Sequence, residues 1–166
     1  AVHGPLGFTD MDREGMLVEG FDRRSCFFTY YNHPYYIDHM AALGYVKDVD
    51  WIEELITVPE DEATIQRWEK ISDFVLKRHR LHIHEARSRL SYLPLLKPFF
   101  ELVNLAYAPL YGTVDLSDRQ IKKYSAKFAP LINPNTTCFV MDENDDLVAF
   151  GVAAPSIAAA LKKHDG

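Results

Sequence analysis

The chain has 166 residues, 48% of them apolar and 13% aromatic, which is enough to bury a core and too apolar for a disordered segment. Its net charge is −6, from 18 basic and 24 acidic residues, and no basic run exceeds two residues, which argues against a nucleic-acid surface. No apolar stretch has the length of a bilayer span, and the opening AVHGPLGFTD has neither the basic nor the apolar part of a secretory leader, which also argues against a membrane protein. Two cysteines far apart, Cys26 and Cys138, fit a reducing compartment, so the expected location is cytoplasmic. Both thiols read as small buried apolar groups; a catalytic thiol would need a lowered pKa and a nearby base. The chain begins with Ala1 and reads as a piece of a longer protein.

In chain order, VHGPLGF reads as a short strand running into a Gly/Pro corner, and CFFTYYN as a strand of aromatic and β-branched residues. His33–Pro34 opens a helix, because Pro suits the first helical position. Ile37, Met40 and Ala41 keep helical spacing, and Gly44 stands where a helix end wants a left-handed residue. Residues 45–58 read as an extended run ending at Pro59, with Asp48, Asp50, Glu53 and Glu54 on a solvated face around Trp51. A helix follows, with Glu60, Asp61 and Glu62 at its start and Lys77, Arg78 and Arg80 at its end, matching the helix dipole. Ile65, Trp68, Ile71 and Val75 give it an apolar stripe. Residues 81–86, LHIHEA, read as a short strand. A helix is expected over 93–111, bounded by Pro94 and Pro98 at one end and by Pro109 and Gly112 at the other. Ser117 and Gln120 form a capping box for a further helix whose inner face is Ile121, Tyr124, Phe128 and Leu131. CFVMD–ENDD–LVAFGVAAP predicts a β-hairpin, and SIAAALKKHDG a last helix.

The run GPLGFTDMDREGMLVEGFD followed by YNHPYY, and then a helix closing in Leu43–Gly44–Tyr45 before a strand, resembles a group of bacterial GNAT-like proteins of several hundred residues. The likeness is clear over about residues 3–57. Beyond them, the order helix, helix, hairpin over 91–154 is similar to the start of a second GNAT fold. The resemblance implies an α/β (α+β) chain made of two partial GNAT-type halves. Residues 1–58 would be the C-terminal part of one, 59–80 a connecting helix, and 81–166 the N-terminal part of the next. It implies a parent that moves an acetyl or other acyl group from acyl-CoA to a small-molecule amine. It also implies that this piece binds no acetyl-CoA itself. The family holds the pyrophosphate on a Gly-rich turn at a helix N-terminus, and the glycines at 4, 7, 15, 20, 44, 112, 151 and 166 do not form one. The family's usual tyrosine acid lies four residues before the Gly of the helix closure, and Met40 stands there. The alternative is a catalytically inactive GNAT-like binding module.

The candidate catalytic residues are His39, as a general base beside a substrate pocket, and Tyr36. Tyr31 and Tyr35, with Tyr30 and Tyr36, line an acceptor groove or form half-buried core with surface hydroxyls. Asp12, with Asp10, Glu14 and Glu19, either selects an amine or caps a loop. His79, His82 and His84 form a small cluster that reads as a solvated strand face rather than a metal site, since Glu85 alternates to the other side and Glu101 is the remaining candidate ligand. His33 reads as a helix-start residue. If the chain is two half-domains, each has an unpaired sheet edge, and the edges either pair with each other in a composite sheet or pair with a second copy as a homodimer, the outcome expected from the exposed apolar area.

Overall fold

A computed structural model describes residues 2–9, 11–25, 29–84 and 88–163. The chain forms two units, Ala1–Glu54 with Pro155–Gly166, and Leu55–Ala154. The fold class is mixed α+β: five α-helices and one small antiparallel sheet among the described residues.

In the first unit, α1 spans Tyr35–Ala42 and begins at Pro34, whose φ of −55° is already helical. Its end is a two-bond closure: Gly44 N–H donates to Ala41 O at 3.0 Å, and Tyr45 N–H donates to Met40 O at 3.1 Å. That geometry needs a left-handed residue, and Gly44 has φ +86°. The strands expected at 2–8 and over 45–58 do not form, and residues 29–32 are not strand either; Cys26, Phe27 and Phe28 lie outside the described residues. A strand exists only as part of a ladder, and here isolated links replace it. Gly15 N–H donates to Pro5 O at 3.0 Å. Leu17 N–H donates to Asn32 Oδ1 at 2.7 Å, and Asn32 Nδ2 returns a bond to Leu17 O at 3.1 Å. His3 Nε2 lies 2.7 Å from Asp48 Oδ2. The last helix, α5, is Ala158–Lys163.

The second unit opens with α2, Glu62–His79. Thr64 N–H donates to Asp61 Oδ1 at 2.8 Å, and these hydrogen bonds from Thr64 hold the Asp61 carboxyl below the usual aspartate range. Arg80, at φ +54°, closes the other end: Leu81 N–H reaches Leu76 O at 2.8 Å. No residue of α2 is buried, and Ile65, Trp68, Ile71, Phe74 and Val75 are each at least 40% exposed. The stripe read from the sequence is there, but no described residue of this unit covers it.

Strand β1 is His82–Ile83, extended by a bond from His84 N–H to Phe139 O at 2.8 Å; Glu85 and Ala86 lie outside the described residues. The helix expected over 93–111 divides. Residues Arg89–Leu95 form a 3-10 turn containing Pro94, and α3 is Leu96–Tyr107. Pro98 is tolerated because first-turn N–H groups have no intrahelical partner, whereas Pro109 lies where a continuing helix would need its N–H. Helix α4, Asp118–Phe128, starts at Ser117, whose N–H donates to Gln120 Oε1 at 3.0 Å. Strands β2, Thr137–Met141, and β3, Leu147–Val152, complete the sheet in the order β1-β2-β3.

The core lies between the sheet and the helices. Tyr92, Leu96, Ile132, Phe139 and Met141 are buried together, with Phe99, Leu147 and Phe150 against them. Alternation on β2 sends Thr137, Phe139 and Met141 inward. Phe100, Val103, Leu116, Ile121 and Tyr124 extend the buried set over α3 and α4. Tyr92 sends its hydroxyl to Thr137 O at 2.9 Å, and burial pushes its phenol pKa up. No helix among the described residues is long and apolar enough to cross a membrane.

Candidate functional site

Three of the residues singled out in the first unit, Tyr35, Tyr36 and His39, lie on α1. Because Tyr35 and His39 are four residues apart on one helix, they share a face. Their ring centroids lie 5.2 Å apart, and Tyr36 stands 4.8 Å from Tyr35 and 6.2 Å from His39. His33, just before the helix, stacks on Tyr35 at 5.6 Å with the planes only 16° apart. Four rings therefore form one exposed ledge, with Tyr35 and Tyr36 48% and 45% accessible. Sequence reading assigned His33 to the helix start and missed its place in the stack. The two-residue step from His33 to Tyr35 across the Pro34 corner was the available signal.

A hydrogen bond with Tyr36 is the main cause of a raised pKa at Tyr35, with partial desolvation and the charge on Tyr36 adding to it. Tyr35 is thus a phenol, able to donate a proton, throughout the neutral range. An imidazole and a phenol on one ledge can take and give a proton, and the ring faces attract a cation.

The other two candidates are engaged elsewhere. Tyr31 donates its hydroxyl to Phe21 O at 2.7 Å, and its ring meets Phe21 edge-on at 6.4 Å. Asp12 closes a turn: its Oδ2 accepts from Phe8 N–H at 3.1 Å, and its own N–H donates to Thr9 O at 2.9 Å. Asp10 lies outside the described residues. Arg13 stands over the Tyr30 ring at 5.5 Å.

Charge is unevenly shared. The first unit has eleven acidic and six basic residues, a net of −5, whereas the second has thirteen and twelve, a net of −1.

The histidines of the second unit do not gather. His82 Nε2 meets Asp145 Oδ1 at 3.0 Å, while the His84 ring lies 5.9 Å from Tyr92 with its Nε2 buried and unpartnered among the described residues. Glu101 pairs with Lys97 at 3.2 Å. Among the described residues no group of three or more His, Cys, Asp or Glu could hold a metal ion. Cys138 is a free, half-buried thiol on β2; Cys26 lies outside the described residues.

No family model matches the chain, and no solved structure matches it. The chain is similar to Protein YghO of Escherichia coli (strain K12), at 22% identity over 169 residues. That alignment covers 99% of this chain and 41% of the relative, so the chain spans about two fifths of the length of the protein it matches.

Proposed function

We propose that this chain is part of a GNAT-type N-acyltransferase, which moves an acetyl or other acyl group from acyl-CoA to a small-molecule amine. The observation that carries the reading is the order that follows α2 in the second unit: a strand, two helices, then an antiparallel hairpin, joined in the sheet order β1-β2-β3. The GNAT-like run of residues 3–57 and the Leu43–Gly44–Tyr45 helix closure support it from the first unit.

In the reaction the amine nitrogen attacks the thioester carbon, the carbon–sulfur bond breaks, a base takes the amine proton and an acid protonates the departing thiolate. His39 is the base on the ledge, and Tyr36 beside it is the second catalytic group. The Tyr35 ring face receives the cationic acceptor before it loses its proton. Tyr31 and Asp12 hold the loops of the same unit in place. This piece contributes acceptor-side residues and no cradle for the CoA pyrophosphate.

The test uses the full-length protein with acetyl-CoA and a panel of primary amines, following release of the CoA thiol. Thiol release that depends on the amine, and falls about a hundredfold or more in His39→Ala, is expected. Calorimetry of the 166-residue chain with acetyl-CoA should give weak binding or none. Met40 at the family's tyrosine position favours a second reading, a GNAT-like binding module without catalysis. Absence of thiol release from the full-length protein across the panel would select it.

A further inference from the structure

We infer that the second unit contains a built site for a single buried water molecule, which bridges His84 Nε2, Thr137 Oγ1 and the Tyr92 hydroxyl where β1 ends against β2. Register brings these groups together. His82 pairs with Met141 and Ile83 with Val140, and His84 N–H donates to Phe139 O at 2.8 Å, which continues the ladder by one step. Residues directly opposite each other share a face of the sheet, so His84 stands on the inward face with Phe139. Thr137, two residues along β2, stands on that face too. His84 and Thr137 are therefore diagonal neighbours, about 7–8 Å apart at the main chain and within reach of each other through a long side chain. Hydrogen-bonding direction repeats every second residue, so the Thr137 carbonyl turns the same way as that of Phe139. Tyr92, in the 3-10 turn before α3, donates its hydroxyl to that carbonyl at 2.9 Å.

The three side chains have hydrogen-bonding capacity left over. His84 Nε2 and Thr137 Oγ1 are buried and have no partner among the described residues, so they do not bond to each other. Thr137 is only 7% exposed and Tyr92 only 2%. The Tyr92 oxygen gives its proton to Thr137 O and keeps a lone pair. The His84 ring lies 5.9 Å from the Tyr92 ring, which sets all three groups at one end of the core. Buried polar atoms are nearly always hydrogen-bonded, and a buried water typically has two to four polar partners. This place offers three, from three different elements. Unlike the apolar stripe of α2, these atoms are already covered by the chain's own residues, so nothing from outside is required to bury them.

The donor and acceptor pattern selects the occupant. An imidazole nitrogen either donates or accepts, according to which ring nitrogen carries the proton, and a threonine hydroxyl does both. Water can answer either choice at each of them and still donate to the Tyr92 oxygen. A carbonyl could only accept and an ammonium could only donate. A metal ion does not fit, since among the described residues no group of three or more His, Cys, Asp or Glu could hold one.

Oxygen-17 relaxation dispersion of the solvent detects waters held for long times and does not respond to exchange of hydroxyl protons. The 166-residue chain is expected to show such a water, together with nuclear Overhauser contacts between water and the His84 ring protons. Thr137→Val replaces the hydroxyl by a methyl of nearly the same shape. It should remove one water's share of the dispersion and the His84 contact, with an unchanged circular dichroism spectrum. Thr137→Ser keeps the hydroxyl and should keep both signals. The wild-type measurement stands even if the valine variant does not fold. No water contact at the His84 ring in the wild type, equal dispersion in the wild type and a folded Thr137→Val, or a direct hydrogen bond from His84 Nε2 to another side chain would each overturn the inference.

Discussion

Two asparagine side chains each close a two-bond ring on a leucine main chain, Asn32 on Leu17 and Asn104 on Leu116. In the second, Leu116 N–H donates to Asn104 Oδ1 at 2.8 Å and Asn104 Nδ2 donates to Leu116 O at 2.9 Å, tying α3 to the start of α4. Asn104→Asp keeps the acceptor, loses the donor and turns a carboxylate toward a carbonyl. It should destabilise the second unit by about 1–3 kcal/mol, read as a lower urea midpoint; an unchanged midpoint would show that the clamp is dispensable. Asp142 holds the hairpin turn in a similar way, accepting from the Asn144 and Asp146 N–H groups at 2.8 and 2.9 Å. Those bonds, Asp146 first, hold its carboxyl below the ordinary aspartate range, with His82 adding a small pull. Since its folded pKa is depressed, the stability it contributes is present above its unfolded pKa and is lost as pH falls through the folded one. The amide shifts of Asn144 and Asp146 should therefore titrate with a midpoint below that of an unstructured aspartate, and Asp142→Asn should remove the transition. Neither clamp is legible in the sequence, because an asparagine's partner is decided by which main chain the fold brings alongside it.

At the scale of elements, the sequence marks ends better than it marks strands. Gly44 is readable as a helix stop because glycine is the residue that takes φ > 0 without strain. Arg80 makes the same closure against that rule. A non-glycine residue at φ +54° costs about 1 kcal/mol, while its exposed pair with Glu143 returns only a few tenths. Arg80→Gly should accordingly stabilise the second unit by about 0.5 kcal/mol, seen as slower exchange of β2 amides; faster exchange would mean that the ion pair matters more than the backbone. The hairpin of β2 and β3 was legible from two apolar runs around an acidic turn, since both partners lie close in sequence. The aromatic run at 26–32 and the residues 45–58 have strand composition, but composition does not say whether a partner strand exists, and no ladder forms among the described ones. The division of 93–111 into a 3-10 turn and α3 follows from two prolines four residues apart, whose combined effect depends on packing against Phe139.

For the whole molecule, the mixed α+β class and the sequence of helices and hairpin in the second unit could be read in advance, because they rest on periodicity and caps. The ledge of His33, Tyr35, Tyr36 and His39 could be read only in part, since the stacking of His33 on Tyr35 depends on the turn at Pro34. Burial was the least legible property: Trp51 and Trp68 are both 53% exposed, although alternation and helical spacing put each on an apolar face. Iodide should quench the fluorescence of both indoles, and Trp51→Phe should leave a quenchable Trp68; a protected fraction would place one of them in an interface. The uneven charge of the two units bears on how ionic strength acts on the chain. Salt shortens the reach of an electrostatic field to about 10 Å at 0.1 M, so under the function proposed above added salt should slow the approach of a cationic acceptor to the first unit, with its net of −5. An uncharged acceptor of similar shape should show no such dependence, so comparing the two would separate steering by charge from contact at the aromatic ledge.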